Sequence, residues 1–155
     1  MNSPFDCSLN AAILHIASCL LPNGFDVSDK APHTYEELRA HLSAGKRVLV
    51  WSGGSEETVY GHRSVNHAFR AWHDFCHWDG GYDFTLEGEI ATCEKQCQHL
   101  FEFYGDCERV RVWCLLLRAE IVGQALFFHR HKRFPDDQRS FVAAYLVDPD
   151  IALIG

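Results

Sequence analysis

From Ser64 onward the chain carries a helical pattern of apolar residues, and this pattern does most to limit how it can fold. The pattern is interrupted at Gly80-Gly81, Gly105-Asp106 and Phe134-Pro135, where glycine or proline favours a turn. It predicts helices over residues 64–79, 86–104, 107–132 and 136–146. Such a chain must bury its apolar stripes by packing helix against helix.

Two further helices are predicted in the first sixty residues. Residues 8–21 follow helical spacing, with Ser8 as the N-cap, and end before the turn signal of Pro22. Residues 34–42 form a shorter helix, in which Thr34 is the N-cap and Glu37 completes a capping box.

One strand is predicted over residues 46–51, Lys-Arg-Val-Leu-Val-Trp, which is rich in strand-forming side chains. Residues 58–60 are expected to pair back on it as a small hairpin. A chain of 155 residues with 47% hydrophobic content fits one domain. The predicted fold is therefore mainly α, a helical-bundle-like single domain over residues 1–155 with one short β-hairpin near residues 46–60.

Charge and the N-terminal sequence narrow the class of protein. The formal net charge is −7, which argues against nucleic acid or an anionic membrane as a partner. The basic run at residues 130–133 is interpreted as the last turn of a helix, where cations complement the dipole. The first residues lack the features of a signal peptide, and residues 11–21 are too short to span a bilayer. We expect a cytoplasmic protein with no transmembrane segment and with reduced thiols.

The seven cysteines raise the alternative of a thiolate metal site. Cys93 and Cys97 lie four residues apart and could ligate zinc together with Cys107, Cys114 or His99. Their spacing matches none of the usual paired zinc knuckles, and a free cysteine commonly packs as a small hydrophobe. We therefore interpret these cysteines as core residues.

The segment His73-Asp74-Phe75-Cys76-His77, followed twelve residues later by Glu89, carries the clearest chemical signal. At about 100° per residue, His77 lies about 40° around the helix from His73, so that both imidazoles can face one ion. Imidazole nitrogens and carboxylate oxygens are ligands that zinc and other divalent metals take. We predict a zinc site formed by His73, Asp74, His77 and Glu89.

A polar stripe surrounds the two histidines on the same helix, and includes Asn66, His67 and Arg70. One interpretation is the solvated face of an amphipathic helix. Against it, the rest of the circumference is aromatic or small, as expected of a helix enclosed by protein. A buried polar stripe would need partners.

A later helix offers such a partner in Glu120, whose carboxylate lies among apolar residues and is costly there unless paired or coordinated. It could be a further metal ligand, a group that orients a ligating histidine, or an acceptor for Arg70. If the site is catalytic, Glu120 and His67 are the candidate general acid or base.

The spacing His-Asp-x-x-His, eleven residues, Glu, read here from His73 to Glu89, resembles the zinc-binding signature of the family to which the fourth coenzyme-Q biosynthesis protein belongs. The flanks Phe69-Arg70 and Leu86-Glu87-Gly88 look similar too, and the match covers about thirty residues. The resemblance implies a mostly helical fold and a zinc ion held by His73, Asp74, His77 and Glu89. It also implies an adjoining apolar cavity and a role, catalytic or scaffolding, toward a small apolar or prenylated substrate such as a quinone precursor.

Two alternatives remain open. The His73-Asp74 adjacency also resembles metal-dependent phosphohydrolases of the HD type, in which an upstream histidine (here His33 or His41) and a later aspartate (here Asp136 or Asp137) complete the site. The other alternative is a metal-free helical interaction protein of the phage accessory type, whose polar stripe is a hydrogen-bonded core or a partner surface.

Overall fold

A computed structural model describes residues 3–55 and 57–155. Contacts group the chain into two compact units, one ending at Phe84 and one beginning at Thr85. The prediction of a mainly helical chain is confirmed, whereas the assignment of residues 1–155 to a single domain stays a prediction. Among the described residues, no helix combines the length and apolar character needed to cross a membrane.

The first unit combines helices with a two-stranded sheet. In chain order its elements are α1 (Cys7–Leu20), β1 (Phe25–Ser28), α2 (Tyr35–Ser43), β2 (Val48–Trp51) and α3 (Arg63–Gly80).

The strands β1 and β2 are parallel, in a register that pairs Phe25 with Val48 and Ser28 with Trp51. The predicted hairpin at residues 46–60 is therefore wrong, although its first strand lies where expected. Parallel strands need a crossover, which α2 supplies, while the N–H of Gly61 donates to the carbonyl of Thr58 in a turn. The strand β1 was not predicted, because its two central residues are exposed and its sequence has no apolar run of the kind that marks a strand.

The core of this unit lies between the crossover and α3. Val48 and Val50 from β2 pack with Leu38 and Leu42 from α2 and with Ala71 from α3. Helix α1 packs along α3 and buries the face that its sequence predicts, including Leu9, Ile13 and Ile16. As a result, α3 is enclosed on several sides, and its few polar side chains occupy fixed surroundings.

The helix starts explain how α1 and α2 are placed. Asp6, rather than the predicted Ser8, caps α1, because its carboxylate accepts the N–H groups of Ser8 and Leu9. Thr34 caps α2 as predicted. The Glu37 carboxylate accepts the N–H of His33 at 3.0 Å, one residue before the position that a capping box would use.

The second unit is helical throughout its regular elements. These are α4 (Leu86–Tyr104), α5 (Glu108–Arg118), a π-helical turn (Ala119–Gly123), α6 (Gln124–His131), α7 (Gln138–Val147) and α8 (Pro149–Ala152). Helices α5 and α6 join through the π turn into one helical rod, which matches the prediction for residues 107–132. The basic run falls in the last turn of α6 and the residues after it, as interpreted from the sequence. Helix α4 packs against both α5 and the π turn.

Candidate metal centre

His73 and His77 stand one turn apart on α3, and their side chains meet. Their Nε2 atoms are 3.0 Å apart, and the two ring planes are nearly perpendicular, at 87°. His77 is completely buried and His73 is half-buried. The predicted convergence of the two imidazoles is confirmed.

The tautomer of His77 follows from its second nitrogen. Nδ1 lies 2.8 Å from the carbonyl oxygen of Tyr82, and because a carbonyl can only accept, Nδ1 carries the hydrogen. In the neutral ring, Nε2 then holds a lone pair, and this lone pair is on the side of His73. Metal-ligating histidines are arranged in this way, with the non-ligating N–H fixed on a carbonyl or carboxylate.

The distance between the two Nε2 atoms is close to that of two ligands on one ion. At the tetrahedral angle, zinc–nitrogen bonds of about 2.0–2.1 Å place two ligating nitrogens roughly 3.3–3.4 Å apart, slightly more than the 3.0 Å observed here. Without an ion, the same separation fits a hydrogen bond from Nε2–H of His73 to His77. A small rotation of the two side chains would therefore bring both nitrogens to the spacing of a shared ion, with α3 in its present position.

The end of α3 holds His77 in place through a Schellman motif. The N–H of Tyr82 donates to the carbonyl of His77 at 2.9 Å, and the N–H of Gly81 donates to that of Trp78 at 3.2 Å. Gly81 adopts a left-handed conformation with φ of 69°. Tyr82 thus contacts His77 twice, since its N–H bonds the His77 backbone and its carbonyl bonds the His77 ring.

Aromatic rings flank both histidines within the first unit. Phe69 stacks on His73 with ring centroids 5.8 Å apart, and the ring of Phe84 meets His77 edge-on at 4.8 Å. These contacts restrict rotation of the imidazoles and give the pair an apolar border.

Glu89 lies in the first turn of α4, behind the N-cap Thr85. The ligating atoms of His73, His77 and Glu89 all lie within 4.8 Å of one another. In the part of the chain that the structure describes, these three side chains form a cluster that could hold a metal ion. Three of the four predicted ligands therefore come together.

The Asp74 carboxylate is not part of that group. Asp74 follows His73 directly, and successive residues project about 100° apart around a helix. It is half-buried, and its role as a ligand stays a prediction.

Part of the polar stripe on α3 has a structural role instead. Asn66 donates to the Ser55 hydroxyl at 2.9 Å. The Arg70 guanidinium donates to three carbonyls within residues 51–54 and lies 5.6 Å from the centre of the Trp51 ring. Asn66 and Arg70 hold the loop that follows β2, and this structural role accounts for both polar side chains without a bound ligand.

The two candidate proton-transfer residues lie outside the group of three. His67 is half-buried on α3, and Glu120 is 8% exposed in the π turn. Their assignment as acid or base stays a prediction.

Two buried polar residues, Thr92 and Gln96, were not predicted from the sequence. They follow Glu89 along α4 at intervals of three and seven residues. That helical spacing was the available signal.

The residues required by the HD-type alternative have other contacts. A ring nitrogen of His41 lies 2.7 Å from the carbonyl of Arg47, and Asp136 forms an ion pair with Arg133 at 3.6 Å. Asp137 caps α7, where its hydrogen bonds with Ser140 lower the pKa of its carboxyl. His33 is exposed. None of these four residues belongs to the group of His73, His77 and Glu89.

The buried cysteines of the second unit form a cluster of thiols. The hydrogen bond with Cys114 lowers the pKa of Cys97. The hydrogen bond with Cys93 and the burial of the thiol have a larger opposite effect, so that the pKa is raised to about 12. The hydrogen bond with Cys97 and burial also raise the pKa of Cys114. Protonated thiols are poor nucleophiles and poor ligands. The interpretation of Cys93, Cys97 and Cys114 as core residues is confirmed, whereas Cys107 is exposed.

Comparison with protein-family models, with curated proteins and with solved structures finds no match to this chain. What the chain does is therefore inferred from the geometry of its own residues.

We predict that Gly81→Val will weaken zinc binding more than tenfold, whereas Gly81→Asn will change it by about twofold or less. A β-branched residue is strained at a left-handed φ, and asparagine tolerates it. A Cβ at this position meets no atom within 4 Å, so the comparison isolates backbone conformation. Competition with a chromogenic zinc chelator measures both affinities. Equal affinities would show that the turn does not position His77.

The thiol cluster predicts the reactivity of the cysteines. At pH 8, a thiol-reactive disulfide reagent should label the exposed Cys7, Cys19 and Cys107 rapidly, and the buried thiols only after denaturation. The raised pKa of Cys97 stabilises the fold below about pH 9, and this contribution is lost as pH rises from about 9 to about 12. Urea unfolding midpoints across that range should therefore fall. Rapid labelling of Cys97 in the native chain would contradict the assignment.

Proposed function

We propose that the chain is a metal-dependent enzyme that holds one zinc ion at His73, His77 and Glu89. The observation that carries the proposal is the orientation of His77. Its Nδ1–H is fixed on the Tyr82 carbonyl, and its Nε2 lies 3.0 Å from that of His73. A metal-ligating histidine uses both features, because the bond at one nitrogen fixes the tautomer and leaves the other nitrogen to bind the ion.

The donor set favours a catalytic site over a structural one. Two imidazoles and one carboxylate are a recurrent ligand set of catalytic zinc, which keeps a position open for water or substrate, whereas structural zinc is usually closed by four ligands, mostly cysteines. Bound here, zinc would supply Lewis acidity toward a water molecule or a substrate oxygen. The group contains three protein ligands, which supports the catalytic reading.

Residues around the site support an apolar substrate. Phe69 and Phe84 border the imidazoles, and Phe84 is 38% exposed, so that an apolar molecule could contact its ring. The resemblance of the His73-to-Glu89 spacing to a zinc-binding family supports the same assignment and extends it to a small apolar or prenylated substrate. Glu120 and His67 are proposed to transfer protons in the reaction.

Whether the Asp74 carboxylate binds the metal decides between an enzyme and a metal-stabilised scaffold. In the signature that the segment resembles, the aspartate ligates the metal. If the Asp74 carboxylate joins His73, His77 and Glu89, four protein ligands close the shell, and the metal then stabilises the fold rather than a reaction. If Asp74 stays outside, an open position remains.

The first experiment is elemental analysis of the chain purified without chelators or a metal-affinity tag. We expect about one equivalent of zinc, and none in the His73→Ala/His77→Ala variant, because both imidazoles are lost. The matched control is Cys97→Ser, which should retain the metal because that thiol is buried and protonated. Absence of metal from the native chain would overturn the proposal, and loss in Cys97→Ser alone would move the site to the cysteines.

Substitution of Asp74 tests whether the shell is open. We expect Asp74→Asn to keep zinc with an affinity within about fivefold of the native chain, and Glu89→Gln to lose it by 10-fold or more. The measurement is zinc competition for each variant, with thermal melts before and after chelation. Equal losses in the two variants, with a large drop in melting temperature on chelation, would instead support a closed, structural shell.

A further inference from the structure

The first unit has a groove of about 220 Å³ on a side of α3 that does not carry the two histidines. Phe75 and Trp78 from α3 line it, and they project roughly 100° or more around the helix from His77. The other walls come from the end of α1 and from the connection between α2 and β2. The groove is therefore separate from the proposed metal centre.

The inner wall of the groove is apolar and firmly packed. Leu42 and Val48 line it and belong to the core cluster of the unit, against which Leu21 and Trp78 also pack. A cavity backed by core side chains keeps its shape, because neighbouring atoms in a close-packed interior leave little room for collapse. An apolar molecule that enters would displace water from these four side chains.

The mouth of the groove carries hydrogen-bond donors and positive charge. Lys46, Arg47 and Asn23 are its polar side chains, and within the described part of the chain no acidic residue lines it. Arg47 is already paired with Asp26 at 3.2 Å and donates to the carbonyl of Phe25. Lys46 is exposed, and in the described ranges no carboxylate forms an ion pair with it.

Trp78, which lines the groove, carries an N–H group that is only weakly bonded. The indole N–H of Trp78 reaches the Ser43 hydroxyl at 3.4 Å, a distance beyond that of a good hydrogen bond. The signal of this N–H group can therefore report on a molecule that enters the groove beside the indole ring.

We infer that this groove binds a compact apolar monoanion, namely a small aliphatic or aromatic carboxylate. The apolar body would lie against Leu21, Leu42 and Trp78, and the carboxylate would meet the Lys46 ammonium at the mouth. The volume of about 220 Å³ is below the roughly 300–1,000 Å³ of sites for drug-sized ligands, which sets the small size. One available cation matches one negative charge.

The test uses cyclohexanecarboxylate and its uncharged amide, titrated into the ¹⁵N-labelled His73→Ala/His77→Ala chain. This background prevents the carboxylate from binding through a metal. Of the four tryptophan indole N–H signals, that of Trp78 should shift with saturation, and the acid should bind about fivefold more tightly than the amide, as expected for one exposed charge pair. In Lys46→Glu, the acid should lose that advantage.

Two control variants make the outcome decisive. Lys30→Glu makes the same charge change at an exposed lysine outside the groove and should leave the affinity unchanged, whereas Asn23→Trp at the rim should block binding of acid and amide alike. The inference is overturned if no saturable shift occurs, if acid and amide bind equally to the Lys46 chain, or if Lys30→Glu weakens the acid as much as Lys46→Glu does. The ¹⁵N spectrum of each variant reports whether it is folded.

Discussion

The hydrogen bond between the His77 ring and the Tyr82 carbonyl is the interaction on which the geometry of the proposed metal centre depends. It is made by a residue just beyond α3, in the turn where Gly81 reverses the chain. One short segment therefore ends the helix, fixes a tautomer and directs a lone pair toward His73. Because the carbonyl belongs to the backbone, this function is independent of the tyrosine side chain, and the left-handed glycine is the residue whose identity matters.

Helix α3 divides its polar residues between two tasks. Its N-terminal half, through Asn66 and Arg70, ties down the loop after β2, and its C-terminal half carries the two histidines. Both halves lie on one stripe, so the stripe alone does not distinguish a ligand from a structural anchor. The distinction comes from the partners, which are carbonyls and a hydroxyl in one half and a second imidazole in the other.

The helices could be predicted from the sequence because glycine and proline mark their ends and because helical periodicity persists over many turns. The facing of His73 and His77 could also be predicted, since residues four apart share a helix face. The pairing of β2 with β1 could not, because Phe25–Ser28 buries too little apolar surface to leave a pattern. Nor could the role of Tyr82, since a backbone carbonyl has no side-chain signature. The exclusion of Asp74 from the group around His77 depends on side-chain direction, which spacing alone leaves open.

The parallel pairing of β1 with β2 has a consequence for how the first unit assembles. A hairpin between neighbouring strands can form in about 1–10 μs, whereas the pairing of residues 25–28 with residues 48–51 must also close the loop that contains α2. During synthesis, β1 is made before β2, so it cannot pair until α2 and β2 have also been synthesised. The groove walls formed by Leu42 of the crossover helix and Val48 of β2 are therefore complete only once this non-local pairing has formed.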